Sequence, residues 1–334
     1  MITFELYSQS MITLDEIRKP VANYMDEFEL RFSSSLQSDV PLLNIITRYI
    51  LKRKGKMMRP LFVFLSAGIC GGVSDSTYRA ASFIEMMHTA TLVHDDVVDD
   101  SDLRRGFFSI KAIWKNKIAV LVGDYLLSRG LLNALEDKEF ELLRLISSAV
   151  KEMSEGELLQ IEKARKLNVE EDVYYDIINK KTASLIAACC ATGAASTGAG
   201  NDAVERMKLF GKMTGMAFQI KDDLLDFESS AIIGKPVAID IKEKKLTLPL
   251  IYMLNHSGTF DRIKFKHIIK NYGKNKKMID SVIKEVKTSG GLEYARSKMD
   301  DYKAKAFEVL ATFPESEYRK AMEQLVVFTT ERKS

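Results

Sequence analysis

The chain has 334 residues, 46% of them apolar and 28% charged, which is an ordinary balance for a soluble globular protein with one large core. Its net charge of +3 is too small to indicate a protein that binds nucleic acid or an anionic membrane surface. The three cysteines, Cys70, Cys189 and Cys190, stand in apolar stretches and lack the paired spacing of a disulfide framework or a zinc site. We therefore expect a reducing compartment.

The N-terminus argues against a targeting signal. The first 20 residues include Glu5, Asp15 and Glu16 and lack the basic start and long apolar run of a secretory signal. No window approaches the roughly 18 uninterrupted apolar residues that a transmembrane helix needs. We expect a soluble, cytoplasmic protein without a transmembrane segment. One domain over residues 1–334, with residues 1–20 as a peripheral segment, is the simplest organisation.

Apolar residues recur with helical periodicity along most of the chain. Apolar residues recur at spacings of three and four, for example between Ala80 and Thr91 and between Val173 and Ile178. The window Thr182–Ser196 is apolar over much of its circumference, which is typical of a helix buried in a bundle. Strand-like alternation is rare, and glycines at 71–72, 193, 198, 200 and 290–291 separate the windows. The pattern predicts an all-α fold of about ten or more helices.

The most polar stretch of the chain runs from Lys264 to Lys287 and is rich in lysine. Charged stretches of this kind usually form the solvated face of surface helices. We interpret it as a solvated face rather than as a binding tract.

Two acidic segments end apolar helical windows, HTATLVHDDVVDD at 88–100 and FQIKDDLLD at 218–226. In a helix Asp95 and Asp99 share one face, with Asp96 beside them, and Asp222 and Asp226 share another. A single pair of this kind is most often a solvated helix end. Both pairs, however, follow apolar windows and are drawn toward a core, where unpaired carboxylates are costly. Because Mg²⁺ binds carboxylate and phosphate oxygens, two pairs facing each other across a cavity would bind a magnesium-chelated diphosphate.

Several basic residues suit the same anionic substrate. Arg104 and Arg105 follow the first acidic segment within a few residues. The other candidates are scattered, and each alone would be an ordinary surface cation: Lys56, Arg59, Lys181, Lys235 and Lys245. Cations around a metal-bound diphosphate stabilise its charge as a carbon–oxygen bond breaks.

These segments together resemble the trans-isoprenyl diphosphate synthases, in particular the polyprenyl diphosphate synthases. Five motifs occur in the order of that family: GKMMRP (55–60), DDVVD with RRG (95–99, 104–106), VGDYLL (122–127), KTASL (181–185), and FQIKDDLLD with GKP and KLTLP (218–226, 234–236, 245–249). The resemblance implies an isoprenoid synthase fold, a large helical bundle around a central apolar cavity. It also implies a homodimer and Mg²⁺ as cofactor, with three ions per site when the allylic diphosphate is bound.

The resemblance assigns a role to each matching residue. Isopentenyl diphosphate would be held by Lys56, Arg59, His88 and Arg105. The magnesium ligands would be Asp95, Asp99 and Asp222, supported by Asp96, Asp223 and Asp226. The allylic diphosphate would contact Arg104, Lys181, Lys235 and Lys245, and the oxygen dipoles of Thr182 and Gln219 would face the allylic cation.

The helix before Asp95 is expected to form the wall of a tunnel for the growing chain. Helical steps back from Asp95 meet Thr91 and Ala90, then Met87 and Met86, then Phe83. In short-chain members of the family a bulky aromatic residue near Ala90 or Thr91 closes the tunnel, and here both residues are small. The resemblance therefore implies a product longer than C20, with a deeper floor, although these side chains could equally be core.

Four alternatives remain open at this point. A geranylgeranyl or farnesyl diphosphate synthase would differ only in product length. A class I terpene cyclase usually has an Asn/Ser/Glu metal motif where this chain has DDLLD, and it has no use for GKMMRP and RRG. A non-catalytic subunit of a heteromeric synthase typically lacks one aspartate motif. A helical scaffold would have no reason to contain five ordered polar motifs.

Overall fold

The structure is a computed structural model that describes residues 12–53, 55–104, 106–166, 170–228, 239–243, 245–273 and 275–332. Helices account for most of these residues, so the predicted all-α fold is confirmed. In chain order they are α1 Leu14–Arg18, α2 Ala22–Ser35, α3 Pro41–Lys52, α4 Met58–Cys70, α5 Asp75–Val98, α6 Ile110–Glu136, α7 Phe140–Lys166, α8 Glu171–Ile178, α9 Ser184–Ala195, α10 Asn201–Glu228, α11 Ile239–Lys242, α12 Leu248–His256, α13 Thr259–Asn271, α14 Lys276–Thr288, α15 Gly291–Leu310 and α16 Glu317–Glu331.

The chain divides into two compact units. Unit 1 comprises Met1–Val150, Ala188–Lys208 and Phe313–Gln324, and unit 2 comprises Lys151–Ala187, Leu209–Thr312 and Leu325–Ser334. The expectation of one domain over residues 1–334 stays a prediction.

In unit 1 the long helices α5 and α6 pack closely because two glycines of α6 leave room for side chains of α5. A Cβ atom on Gly130 would lie 2.8 Å from the ring of Phe83, and one on Gly123 would overlap the ring of His94. The two contacts lie on α5 at Phe83 and at His94, which directly precedes Asp95. Ile17 of α1 is fully buried, so part of the stretch expected to be peripheral contributes to the core.

In unit 2 the helices α12 to α15 pack around a second core. The surface helix α13 contributes Phe265 and Ile269 to this core, and α14 contributes Ile279, Val282 and Val286. These residues recur at helical spacing, so each helix has one buried face and one outward face.

Helix α6 is long and apolar enough to cross a bilayer, the one helix among the described residues to which this applies. Only a third of its most apolar 18-residue window is buried. Length and composition alone are weak grounds for a membrane span, since the core helix of a soluble protein has the same features. The helix also has a non-helical residue at Lys115 and includes Asp124 and Arg129.

Two local features differ from a purely helical prediction. Residues Leu103–Arg104 and Phe107–Phe108 pair as a short antiparallel hairpin directly after the first acidic segment. Residues Asn179–Ala183 form a turn of π-helix between α8 and α9, which includes the first two residues of the window Thr182–Ser196 predicted as helical. Single π-turns inside helical segments occur frequently at functional sites.

Candidate active site

Two glycines hold the π-turn at Asn179–Ala183 in unit 2. A Cβ atom on Gly156 of α7 would lie 2.8 Å from the Cβ atom of Lys180. A Cβ atom on Gly215 of α10 would lie 2.5 Å from the Cα atom of Ala183. Both helices can approach the turn this closely only because neither position has a side chain. The turn is thereby fixed between α7 and α10.

The π-turn begins a chain of hydrogen bonds that ends in the second acidic segment. The Thr182 hydroxyl donates to Oε1 of Gln219 at 2.7 Å, and Nε2 of Gln219 donates to Oδ1 of Asp223 at 2.9 Å. The Tyr174 hydroxyl donates to Oδ2 of Asp223 at 2.7 Å. Both carboxylate oxygens of Asp223 therefore accept a hydrogen bond, and all four side chains line one pocket.

Burial controls the charge of Asp223. Its side chain is 4% exposed, and this desolvation, with the nearby charge of Asp240, raises its pKa to about 7. The hydrogen bonds from Tyr174 and Gln219 act in the opposite direction, because they stabilise the ionised carboxylate. Desolvation, together with the charge of Asp226, raises the pKa of Asp240 to about 6.

Two lysines line the same pocket, each beside a carboxylate. Nζ of Lys181 lies 2.5 Å from an oxygen of Glu157, and Nζ of Lys245 lies 2.5 Å from an oxygen of Glu243. Burial opposes the charge of Lys245, but the carboxylates of Glu243, Asp240 and Glu157 together raise the pKa of that lysine. Both lysines are therefore positioned as cations at a pocket that can accept an anion.

Arg332, near the C-terminus, contacts the second acidic segment directly. Its guanidinium donates to Oδ1 of Asp222 and lies 4.7 Å from the ring centre of Phe218. Burial lowers the pKa of Arg332. The guanidinium thus places a positive charge beside the first aspartate of the second motif.

In unit 1 the three aspartates of the DDVVD motif differ in exposure. Asp96 is buried, and its Oδ1 accepts from Nε of Arg104 at 2.7 Å. Desolvation raises the pKa of Asp96, and the arginine partly offsets this effect. Asp95 is half-buried and Asp99 is exposed, one helical turn apart, with the amide of Asp99 donating to the carbonyl of Asp95 at 2.8 Å.

A second pocket, in unit 1, contains part of the predicted isopentenyl site. It is lined by His88, Asp96 and Arg104, by further polar residues that include Arg53 and Glu85, and by apolar side chains. Lys56 is exposed, and its carbonyl accepts from Arg18 at 2.5 Å. Arg59 is half-buried.

The predicted site residues thus fall into two groups. Unit 1 contains Lys56, Arg59, His88, Asp95, Asp96, Asp99 and Arg104. Unit 2 contains Lys181, Thr182, Gln219, Asp222, Asp223, Asp226 and Lys245. Arg105 and Lys235 lie outside the described residues.

Sequence reasoning missed two residues of the unit 2 pocket. Tyr174 precedes Lys181 by seven residues, which is two helical turns, and that spacing could have suggested it. Asp240 stands between the GKP and KLTLP elements, where its burial could not be foreseen from an otherwise polar segment.

The carboxylates fit magnesium that is shared with a substrate. Within the described ranges, no three His, Cys, Asp or Glu side chains gather into a metal cage. Mg²⁺ needs only one or two protein carboxylates when phosphate oxygens and water complete its octahedron. Asp95, Asp99 and Asp222 are at least partly exposed and can serve, although Oδ1 of Asp222 accepts from Arg332, whereas both oxygens of the buried Asp223 accept protein hydrogen bonds.

Comparisons with known proteins agree on one family. The sequence model of the family described as polyprenyl synthetase matches residues 40–286. An all-trans-nonaprenyl-diphosphate synthase (geranyl-diphosphate specific) of Rhodobacter capsulatus is 35% identical over 95% of this chain and 97% of its own. A decaprenyl diphosphate synthase structure from the same organism superposes with a TM-score of 0.91 at 31% identity, covering 96% of this chain and all of that one. A geranylgeranyl pyrophosphate synthase from Bacteroides thetaiotaomicron has a TM-score of 0.82 at 37% identity, covering 96% and 99%.

Replacing Tyr174 by phenylalanine tests the burial of Asp223. Because the folded-state pKa of about 7 lies above the ordinary 3.8, the stability that Asp223 contributes by protonation is present at low pH and lost as pH rises through 7. Tyr174→Phe removes a hydrogen bond that favours the ionised form. We expect urea unfolding in EDTA to show a loss of about 1.5–3 kcal/mol near pH 8, where the acceptor is charged, and clearly less near pH 5.5.

Tyr175→Phe is the matched control for Tyr174→Phe, because its hydroxyl donates to Glu171 rather than to Asp223. Its loss of stability is expected to change little between the same pH values. An equal loss for Tyr174→Phe at both pH values would contradict the assigned coupling.

Proposed function

Because this chain belongs to the polyprenyl synthetase family, we propose that it condenses isopentenyl diphosphate with an allylic diphosphate, head to tail and in trans, to make a polyprenyl diphosphate longer than C20. The observation that carries the proposal is the position of cations beside both aspartate motifs, Arg104 at the first and Lys181 and Lys245 in the pocket of the second. Mg²⁺ is the proposed cofactor, with three ions when the allylic diphosphate is bound. We assign the ions to Asp95, Asp99 and Asp222, supported by Asp226.

The first step is loss of diphosphate from the allylic substrate, whose carbon–oxygen bond breaks with both electrons leaving on oxygen. Bound Mg²⁺ would neutralise the developing negative charge of this leaving group. Arg104, Lys181, Lys235 and Lys245 donate hydrogen bonds to its oxygens. No protein nucleophile is required, because positioning and electrostatics carry the rate.

The allylic cation left behind is stabilised by oxygen dipoles. The Thr182 hydroxyl donates a hydrogen bond to Oε1 of Gln219 and keeps its proton. The oxygen lone pairs of Thr182 therefore remain available toward the pocket. Gln219 is in turn held by Asp223. This orientation supports a role in which the double bond of isopentenyl diphosphate forms the new carbon–carbon bond while Thr182 stabilises the cation. A proton is then lost to the departing diphosphate.

Isopentenyl diphosphate is assigned to Lys56, Arg59, His88 and Arg105. The exposed ammonium of Lys56 and the pocket wall at His88 support this role in unit 1. A class I terpene cyclase would not need this second diphosphate site. Incubation with Mg²⁺, isopentenyl diphosphate and a farnesyl primer separates the two, because elongated diphosphates identify the synthase and hydrocarbons or alcohols identify the cyclase.

Asp95→Ala and Asp222→Ala test the metal assignment. Each is expected to lower prenyl transfer by at least about a thousandfold, since a missing metal ligand removes transition-state stabilisation, while the thermal midpoint changes little. Asp26→Ala and Asp301→Ala remove exposed carboxylates from unit 1 and unit 2 and serve as matched controls. Full activity in either metal-site variant would refute the role of that aspartate.

Product length is proposed to depend on α5. Ala90 is fully buried, and Phe83, Met86 and Met87 are buried nearer the start of the helix. Thr91 is half-buried, and its hydroxyl donates to the carbonyl of His88 at 2.8 Å. The contact of Phe83 with Gly130 gives that ring a fixed position and supports a floor at this level.

Ala90→Phe is expected to shorten the product. The added ring would fill the space that a growing chain would otherwise enter, so reversed-phase chromatography should show products of C20 or less. The rate of the first condensation should be largely retained. Leu30→Phe adds the same ring on an exposed part of α2 and should leave the distribution unchanged. An unchanged product length in Ala90→Phe would reject the tunnel assignment.

We propose that the chain forms a homodimer through the exposed side of α6. Five apolar side chains, each 36–54% exposed, lie within one stripe of the helix: Val120, Leu121, Leu131, Leu132 and Leu135. A stripe of this size on a long helix is unfavourable in water and suits an isologous contact with a second copy. The cytoplasmic location predicted from the sequence remains part of this proposal.

Light scattering of Leu121→Glu/Leu132→Glu tests the dimer. The two positions are three turns apart on the same face, so paired charges should prevent association and leave a monomer. Leu30→Glu, at a side chain 72% exposed on α2, is the matched control and should remain dimeric. A monomeric unmodified protein would refute the dimer itself.

A further inference from the structure

The lysine-rich stretch of α13 and α14 carries more positive charge than the whole molecule. Residues 259–288 contain nine Lys and Arg against three Asp and Glu, a net charge of +6. The complete chain has a net charge of +3, so the remainder is negative by three. The low overall charge therefore hides a strongly basic region confined to one helical pair of unit 2.

The outward side of this pair combines lysines with apolar side chains that are not part of the core. Phe260 is 91% exposed and Ile263 63% exposed, and both lie on the side of α13 opposite to the buried Phe265 and Ile269. We call this surface the basic face. It comprises exposed residues of both helices, Phe260, Ile263, Lys264, His267 and Lys270 on α13 and Lys276, Lys277, Lys284 and Lys287 on α14.

Folding does not account for Phe260 and Ile263. The apolar residues that hold α13 and α14 in unit 2 form a separate set, and neither Phe260 nor Ile263 belongs to it. Two neighbouring apolar side chains one turn apart, with Lys264 and Lys270 exposed on the same face of α13, form a small amphipathic surface. This combination is typical of helices that lie in a membrane interface, with apolar side chains inserted and lysines at the headgroups.

A nucleic acid would use the lysines but not the two apolar side chains. Phosphate backbones attract lysine in the same way, but an exposed isoleucine gains nothing from a sugar–phosphate surface. An anionic bilayer uses both features, because headgroup phosphates attract the lysines and acyl chains accept Phe260 and Ile263. The charge and the apolar pair together therefore favour a lipid surface.

We propose that the basic face docks the protein reversibly onto anionic lipid bilayers. This role goes beyond prenyl transfer, although it suits an enzyme whose proposed product has a long hydrocarbon chain that water does not dissolve. Docking does not require the active site, and it can be measured without substrate or metal. Failure of this proposal and failure of the proposed function are therefore distinguishable.

Co-sedimentation of the full chain with extruded vesicles tests the docking. Vesicles of phosphatidylcholine with about 30% phosphatidylglycerol are expected to bind the protein, and vesicles of phosphatidylcholine alone to bind it at least about tenfold more weakly. Binding should weaken as salt rises, because the electrostatic part is screened. Equal binding to both kinds of vesicle, or none to either, would overturn the proposal.

Two pairs of substitutions separate the apolar and the electrostatic contributions. Phe260→Ser/Ile263→Ser should lower partitioning into anionic vesicles on the order of tenfold, because the inserted apolar area is lost. Lys276→Glu/Lys277→Glu should lower it at least as much, because two positive charges become negative and the net charge falls by four units. All four side chains are exposed, so far-ultraviolet circular dichroism should show an unchanged fold.

Each variant has a matched control in unit 1 or elsewhere in unit 2. Phe140→Ser removes an exposed phenylalanine that stands between Glu139 and Glu141, and Lys151→Glu/Lys320→Glu makes the same change in net charge at other exposed lysines. Both controls should bind as the unmodified protein does. Equal loss in the controls would reject the basic face as the docking surface. Binding to duplex RNA that is as tight as binding to vesicles and unaffected by Phe260→Ser/Ile263→Ser would reject lipid as the partner.

Discussion

The close approach of α7 and α10 to the π-turn at Asn179–Ala183 is the constraint on which the pocket of unit 2 depends. Gly156 and Gly215 bring helix backbone to within van der Waals contact of the turn, and any larger residue would hold the helices apart. The widened turn then positions Lys181 and Thr182 at the pocket, where Thr182 can reach Gln219 on α10. A local change in helical hydrogen bonding is thus converted into a defined arrangement of polar groups.

The two aspartate motifs share one arrangement, a partly exposed aspartate followed by a buried one, and this arrangement follows from helix geometry. In each motif the second aspartate is rotated by about 100° from the first and points toward the interior. Asp96 and Asp223 are accordingly buried, and each is held by protein donors, Arg104 in one case and Tyr174 with Gln219 in the other. The first aspartate of each motif remains partly exposed. An anchored carboxylate beside an accessible one fixes the helix end and leaves the neighbour able to bind a cation.

Periodicity and motif order were sufficient for the fold class and the family, because both depend on patterns that extend over many residues. The helices containing Asp95 and Asp222 could be foreseen from apolar residues at spacings of three and four. The π-turn could not, since its hydrogen-bond shift depends on how closely Gly156 and Gly215 allow other helices to approach. Gln219 precedes Asp223 by four residues on the same helix, but the other partner of Asp223 could not be foreseen. Tyr174 lies 49 positions away in sequence, and only the packing of α8 against α10 makes them neighbours.

The lysine-rich stretch shows why composition can mislead when it is averaged over a chain. The net charge of +3 argued against binding to nucleic acid or to an anionic membrane surface, but this value is a sum over the whole molecule. Electrostatic attraction, however, is set by charges within about a Debye length of the contact, roughly 8 Å at physiological ionic strength. The lysines of α13 and α14 lie on the outward faces of adjacent helices, and compensating acidic residues are mostly elsewhere in the sequence. A partner in contact with the basic face is therefore exposed to a positive electrostatic potential, whatever the sign of the charge on the remaining surface.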